Sequence, residues 1–275
     1  MHKLSIDGIL QKIKNGETFS VLSEDRSFSL TIEEYTPAVC AAIHNGSNFL
    51  PELQEKINLS ANERWYEEDP FTGYFIEDFP IRIVSYDSRY LYDINRKPEE
   101  CIYESAWGKT VWKEPLTENE REKLLARHKQ FYAVIYALIS KINALFSRCI
   151  VYDIHSYNYQ REGQKSDLPL LNIGTERITD PQFEKYILSW MDELSKIYLP
   201  EIENRTARNE VFYGRGYFLE YIMSRFENTL VLATEIKKVY CDENNGNIYP
   251  DIIAQLKSGL ITAINSHSEK WRKCL

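Results

Sequence analysis

The sequence predicts an α/β protein in which a largely parallel sheet is covered by helices on both faces. Four short, mostly apolar runs have the composition of buried strands, at 38–43, 81–85, 149–154 and 230–233. Amphipathic stretches with helical spacing lie at 117–145, 181–197 and 250–266. Strands that alternate with long helices imply crossover connections, and crossovers join parallel strands.

The composition is that of an ordinary globular protein, and it excludes several partners. The chain has 275 residues, and 33 Lys and Arg against 41 Asp and Glu give a formal net charge of −8. Such an acidic chain lacks the basic surface that binds nucleic acid or anionic membranes. No linker, low-complexity tract or internal repeat divides it, so we expect one catalytic domain over residues 1–275.

The cysteines and the N-terminal residues predict a reducing, cytoplasmic location. Five cysteines without a C-x-x-C pair suggest neither a disulfide framework nor a thiolate zinc site. Residues 1–8 lack the apolar stretch of a signal peptide, and no apolar run reaches the roughly 18 residues of a membrane span.

The N-terminal 35 residues are expected to form a helix and a β-hairpin that decorate the sheet. Residues 18–23 and 27–33 alternate between apolar and polar side chains around a turn at Asp25-Arg26. This pattern is typical of an antiparallel hairpin at a sheet edge.

The clearest helix begins at Thr117. Glu120 stands three residues later, which is the spacing of a capping box that satisfies the first free amides of a helix. An apolar stripe then predicts the face that packs on the sheet: Leu124, Phe131, Ile135, Leu138, Ile142 and Leu145.

Reactive side chains follow three of the predicted strands. His44, His155 and Glu235 stand just beyond apolar runs, and in parallel sheets ligands bind beyond the carboxyl ends of the strands. The other three histidines do not occupy such positions, and we interpret them as structural: His2, His128 and His267.

Two histidines at strand ends suggest a metal site, because imidazole is the commonest zinc ligand and a catalytic zinc takes three protein ligands. Residues 61–80 offer six carboxylates as the third ligand, and residue spacing does not choose among them: Glu63, Glu67, Glu68, Asp69, Glu77 and Asp78. The alternative is that each histidine is a hydrogen-bonded loop residue.

A second polar group lies in one short stretch that contains Arg89, Asp93, Asn95 and Arg96. The planar guanidinium of arginine matches the two oxygens of a carboxylate, so this stretch is a candidate site for an acidic substrate. The alternative is a solvent-facing ion pair that contributes little.

In this order the motifs resemble the N-formylglutamate amidohydrolase family, which is similar to the zinc carboxypeptidases and succinylglutamate desuccinylases. The resemblance spans about residues 38–240 and is most specific at 89–96 and 153–156. The matching segments are His44-Asn45-Gly46, Glu68-Asp69, Arg89 to Arg96, Asp153 to Ser156, and Glu235.

The resemblance implies a single three-layer α/β/α domain with a mixed, mainly parallel sheet. It implies one zinc ion bound by His44, Glu68 and His155, with Asp69 as the rival to Glu68. Glu235 takes the place of the family's general base.

The resemblance also implies a substrate with one or two carboxylates. Asn95 and Arg96 would hold one carboxylate, and Arg89 would add a second cationic contact. Arg215, which the family pattern lacks, is a further candidate for binding the substrate. Three residues are expected to contact the ligands and the arginines from behind and support them: Asp93, Asp153 and Ser156. The implied reaction is hydrolysis of N-formyl-L-glutamate to formate and L-glutamate, in amino acid degradation.

Departures from the family pattern leave specificity open. Asn45 replaces a usual serine, and Arg215 interrupts a usual Gly-Gly-Tyr segment. A carboxypeptidase-like peptidase or a deacylase of other N-acyl amino acids is therefore an alternative. A non-catalytic protein that binds an acidic metabolite is an alternative of another class. The oligomeric state is not predicted.

Overall fold

The computed structural model describes residues 1–161 and 167–273. The helices are α1 (Ile6–Asn15), α2 (Ala61–Glu67), α3 (Thr72–Phe75), α4 (Glu118–Phe146), α5 (Glu184–Ser195), α6 (Tyr217–Met223) and α7 (Pro250–Arg272). The strands are β1 (His2–Leu4), β2 (Phe19–Ser23), β3 (Phe28–Ile32), β4 (Ala38–Ala42), β5 (Ile81–Ser85), β6 (Ser105–Ala106), β7 (Lys109–Thr110), β8 (Cys149–Tyr157), β9 (Leu171–Gly174), β10 (Thr206–Arg208) and β11 (Thr229–Lys237).

Within the described residues, one large sheet has the order β1-β2-β3-β5-β4-β8-β11-β9-β10. Five strand pairs of this sheet are parallel: β1–β2, β4–β5, β4–β8, β8–β11 and β9–β10. The pairs β2–β3, β3–β5 and β9–β11 are antiparallel. The predicted α/β class with a mixed, mainly parallel sheet is confirmed. The hairpin β2–β3 extends this sheet beyond β5, and β6 and β7 form a separate hairpin.

Helices cover both faces of the central strands. Every residue of β8 is buried, and alternate side chains of a strand point to opposite faces, so both faces must be covered. Helices α4 and α7 both contact β8, while α1 packs on α4 and α5 packs on α7. No helix among the described residues is long and apolar enough to cross a membrane.

Helix α4 begins as predicted. The amide of Glu120 donates to Thr117 Oγ1, and the amide of Thr117 donates to Glu120 Oε2 at 2.7 Å, which completes the capping box. Its predicted buried face is correct from Leu124 to Ile142. The inclusion of Leu145 was wrong, because this side chain is 50% exposed near the end of the helix.

Two strands run further than the apolar runs indicate. β8 continues to Tyr157 and β11 to Lys237, so His155 and Glu235 lie inside strands. Four cysteines are free and buried, at positions 40, 101, 149 and 241. The fifth, Cys274, lies outside the described residues.

Candidate active site

The two histidines predicted at strand ends meet at the same edge of the sheet. His44 follows β4, and His155 lies in the adjacent parallel strand β8. Their ring centroids are 5.0 Å apart, and each residue is only 3% exposed. Because β4 and β8 are parallel neighbours, residues far apart in the sequence come together here.

Asp69 joins the two histidines. Its Oδ2 lies 3.1 Å from His155 Nδ1 and 3.5 Å from His44 Nδ1. The Asp69 amide donates to the carbonyl of His44 at 3.0 Å. Among the described residues, these three form the group whose ligand atoms all lie within 4.8 Å of one another.

The carboxylate of Glu68 does not belong to this group. Helix α2 ends at Glu67, and Glu68 has an extended backbone with φ −73° and ψ 160°. Neighbouring side chains in extended backbone point to opposite sides, so Glu68 turns away when Asp69 faces the histidines. Glu68 instead accepts a hydrogen bond from Ser88 Oγ at 2.5 Å, and burial raises its pKa to about 7. The geometry therefore favours Asp69, the rival candidate, over Glu68.

Asp93 orients His44 from behind. Its Oδ1 lies 2.8 Å from His44 Nε2, and its Oδ2 accepts hydrogen bonds from Arg89 and from the Tyr103 hydroxyl. Burial opposes ionisation of Asp93, but the charge of Arg89 and the contact with His44 outweigh it and hold the pKa well below its usual range. An ionised Asp93 fixes the proton of His44 on Nε2, which leaves the lone pair of Nδ1 available to bind a cation.

Asp153 lies beside the other histidine. Its Oδ2 is 2.9 Å from His155 Nε2, but the angles do not suit a hydrogen bond. Among the described residues, neither oxygen of Asp153 has a hydrogen-bond partner. Burial disfavours a charged ring, yet the carboxylates of Asp153 and Asp69 raise the pKa of His155 well above its usual value. The cluster is thus rich in negative charge and suits a cation.

Glu235 faces the same space from β11. It stands directly beside His155 in the parallel register of β8 and β11, and it lines the cavity above the histidines. No group among the described residues donates a hydrogen bond to its carboxylate. Burial raises the pKa of Glu235 to about 8, and the charge of His155 partly opposes the shift. A cation held by the histidines and Asp69 would lower this pKa, and the carboxylate of Glu235 would then be placed to act as a general base.

The arginines predicted to bind substrate differ in whether a carboxylate of the protein already pairs with the guanidinium group. Arg89 lines the cavity, but it is held by Asp93 at 2.8 Å and by the carbonyl of Glu67 at 3.1 Å. Arg215 lines the cavity and pairs with Glu176 at 2.7 Å. Arg96 is exposed at the cavity, and no carboxylate of the described residues pairs with it.

Asn95 stands next to Arg96 and is fixed by the first turn of α6. Its Oδ1 accepts a hydrogen bond from the amide of Phe218 at 3.1 Å. A Cβ on Gly216 would lie 2.3 Å from the same oxygen, so only glycine permits this approach. The absence of a side chain at Gly216 thereby leaves room for the Asn95 amide at the cavity wall.

The cavity has a volume of about 350 Å³ and includes residues that the sequence patterns did not indicate. Ser156, predicted as a supporting residue, is buried and lines it. Among the missed residues are Trp107, Asn158, Arg161, Phe212 and Lys238. Asn158 and Lys238 each lie three residues beyond a predicted site residue, so the position just past a strand was the available signal.

The predicted structural histidines lie outside this cavity lining. His128 is buried, its Nε2 lies 2.9 Å from the Arg96 carbonyl, and its ring stacks on Tyr217. His267 is buried between Tyr152 and Tyr186. His2 is exposed at the start of β1. Tyr213 also lines the cavity.

Comparison with known proteins identifies a family. A family model described as N-formylglutamate amidohydrolase matches residues 36–241, well over half of the chain. None of the curated proteins matches the chain.

Two solved structures share the fold. An N-formylglutamate amidohydrolase from Ralstonia eutropha JMP134 is 18% identical, with a TM-score of 0.73, and the match covers 90% of this chain and 99% of that one. A gene product from Agrobacterium tumefaciens is 16% identical, with a TM-score of 0.65, and the match covers 87% and 95%. At these identities the likeness concerns the fold alone.

Proposed function

Because the chain belongs to the N-formylglutamate amidohydrolase family, we propose that it is a zinc-dependent amidohydrolase acting on an N-acyl acidic amino acid. The expected substrate is N-formyl-L-glutamate, and the products are formate and L-glutamate. The observation that carries the proposal is the buried group of His44, Asp69 and His155 with Glu235 beside it.

The donor set fits a zinc ion. Two imidazole nitrogens and one carboxylate oxygen are a known protein ligand set of catalytic zinc, which keeps a further position open. His44 and His155 each turn Nδ1 toward Asp69. Asp93 is hydrogen-bonded to His44 Nε2, as the outer partner of a metal-bound histidine is, and the carboxylate of Asp153 lies 2.9 Å from His155 Nε2. We therefore assign His44, Asp69 and His155 as the ligands.

Bound zinc would supply a Lewis acid and would lower the pKa of a water molecule. Glu235 would accept a proton from the attacking water as the new bond forms at the formyl carbon. It would then deliver that proton to the amide nitrogen as the C–N bond breaks. The proton, the hydroxyl and the two products balance, so no other reactant is needed.

Arg96 is the best candidate to bind the substrate carboxylate. Arg89 is committed to Asp93, and Arg215 must leave Glu176 before it can contact a substrate. Arg96 has no such partner among the described residues, and Asn95 adds an amide beside it. A bidentate contact from Arg96 would fix the amino acid end and leave the formyl group near Glu235.

The first test measures zinc content and formate release from N-formyl-L-glutamate for the wild type, His155→Ala and Glu235→Gln. We expect one zinc per chain in the wild type, loss of both zinc and activity in His155→Ala, and retained zinc without activity in Glu235→Gln. Glu243→Gln is a matched control, since Glu243 binds the amides of Tyr159 and Gln160 rather than facing the histidines.

The results separate the alternatives. Zinc with turnover of short peptides, but not of N-formyl-L-glutamate, would replace the substrate by a peptide with one terminal carboxylate. This second candidate is favoured by the half-exposed aromatic residues Phe212 and Tyr213 in the cavity lining, which offer apolar surface to a larger acyl group. Absence of zinc and of turnover after reconstitution would refute the enzymatic proposal and leave a binding protein.

A further inference from the structure

The segment that carries Asp69 is held by side chains from several other parts of the chain. Residues 66–70 run from the last turn of α2 into its connection to α3, and their main-chain carbonyls form few bonds with other main-chain groups. Each of the five consecutive carbonyl oxygens accepts a hydrogen bond from a side chain: Tyr66 from Lys238 and Asn158, Glu67 from Arg89, Glu68 from Lys238, Asp69 from Thr72, and Pro70 from Tyr240. The conformation of this segment is therefore set by its surroundings.

Lys238 is unusual among these side chains because it binds two of the carbonyls. Its Nζ lies 2.7 Å from the Tyr66 oxygen and 2.7 Å from the Glu68 oxygen, and the residue is only 1% exposed. No carboxylate among the described residues forms an ion pair with it. Burial of an ammonium group without an ionic partner is costly, so such a lysine is expected on the surface unless its bonds serve a purpose.

The two bonds fix the backbone at the point that decides which carboxylate faces the histidines. Tyr66 and Glu68 flank Glu67, and one ammonium that binds both carbonyls restricts the dihedral angles between them. The extended backbone of Glu68 follows directly and directs Asp69 inward. A rotation there would move the Asp69 carboxylate away from His155.

Lys238 also ties this segment to the strands of the candidate site. Its amide donates to the carbonyl of Tyr157 at 3.0 Å, which continues the pairing of β11 with β8. It lies three residues after Glu235, and Asn158, which also donates to the Tyr66 carbonyl, lies three residues after His155. The segment bearing Asp69 is thus held in a fixed position relative to β8, which carries His155, and β11, which carries Glu235.

We propose that Lys238 is a positioning residue that holds Asp69 in the geometry required to bind a divalent cation together with His44 and His155. It acts through the main chain and does not itself touch the cation. The inference rests on the proposed metal site. It goes beyond that site because it assigns a role to a residue outside the ligand set.

The test measures the zinc affinity of the metal-free full-length protein by competition with a chelator, using Zn²⁺ alone as the probe. Lys238→Met keeps the length of the side chain and removes both hydrogen bonds. Loss of an outer support typically weakens metal binding by about 10- to 100-fold, and we expect a fall in that range. Lys238→Arg keeps the charge and the donors, so it should recover part of the affinity.

Lys237→Met is the matched control. Lys237 is the preceding residue, it is partly exposed, and its Nζ lies 3.3 Å from the carbonyl of Leu168, away from the segment of Asp69. It should bind zinc as the wild type does. The melting temperature is measured for each metal-free protein and again with zinc. A purely structural role for Lys238 would lower the first value and leave the zinc-induced rise unchanged, whereas a positioning role reduces that rise.

The outcomes are distinct. Wild-type zinc affinity in Lys238→Met would overturn the inference and leave the proposed function standing. Failure of the wild type itself to bind zinc would refute the proposed metal site, and the inference would fall with it. If Lys238→Met does not fold, Lys238→Gln is compared with Lys238→Arg: weaker zinc binding by the glutamine variant supports the inference, and equal binding overturns it.

Discussion

His267 should make the stability of the protein fall steeply in weak acid. This histidine lies in α7, fully buried between two tyrosines of other elements. Its Nε2 donates to the carbonyl of Tyr186 at 2.9 Å, so its Nδ1 must accept from the Tyr152 hydroxyl at 2.8 Å. Both ring nitrogens are thus satisfied in the neutral form, and burial lowers the pKa of His267 to about 4 from its usual 6.5.

The sign and size of the effect follow from this shift. Because the folded-state pKa lies below the unfolded value, the stabilisation is complete above pH 6.5 and is lost as the pH falls from 6.5 to 4. The difference between these two values is 2.5 units, and each unit corresponds to about 1.4 kcal/mol, so about 3 kcal/mol is lost.

The assay is urea unfolding of the metal-free protein between pH 4 and pH 8, for the wild type and His267→Gln. Glutamine can donate to Tyr186 and accept from Tyr152, but it does not titrate in this range. The difference in free energy of unfolding between the two proteins should therefore shrink by about 3 kcal/mol toward pH 4. His2→Gln, a change at an exposed residue, should keep the wild-type pH dependence. A difference that stays constant with pH would refute the reasoning.

Four further variants test the site and the core. Asp93→Asn removes the charge behind His44, a proposed zinc ligand, and should weaken zinc binding by about 10- to 100-fold, as measured by chelator competition. Gly216→Ala places a Cβ against Asn95, so the KM for N-formyl-L-glutamate should rise more than kcat falls, in steady-state kinetics. Leu138→Ala should cost about 2 to 5 kcal/mol in urea unfolding, while Leu145→Ala at an exposed position should change stability by less than about 0.5 kcal/mol.

Much of the fold follows from local patterns in the sequence. The apolar runs that became β4, β5, β8 and β11 cannot be solvated, and the alternation with amphipathic helices leaves few arrangements for them. The capping box at Thr117 fixes the start of α4 within one residue. Burial near the end of this helix was harder to predict, because the exposure of Leu145 depends on how far the helix extends past the sheet.

The site residues that follow strands could be predicted from the sequence. The choice between Glu68 and Asp69 could not, because it depends on the backbone conformation of one residue. His44, His155 and Glu235 could be found because parallel strands bring their carboxyl ends to one edge. Glu68 and Asp69 are adjacent acids in an irregular segment, and only the extended backbone at Glu68 separates their directions. The position of Lys238 just past a strand was a signal, but its burial was not predictable, since a lysine there ordinarily lies in solvent.

The placement of the site on separate strands has a consequence for biosynthesis. His44, Asp69, His155 and Lys238 are far apart along the chain, and β8 lies between β4 and β11 in the sheet. During synthesis His44 therefore leaves the ribosome long before β11, the last strand of the site, has been made. Until β11 joins β8, no intermediate presents the full set of groups, because non-local strand pairing must come first. The three proposed ligands all precede β11 in the chain, so they would be available to a cation before β11 pairs, whereas Glu235 and Lys238 would join the site only when β11 does.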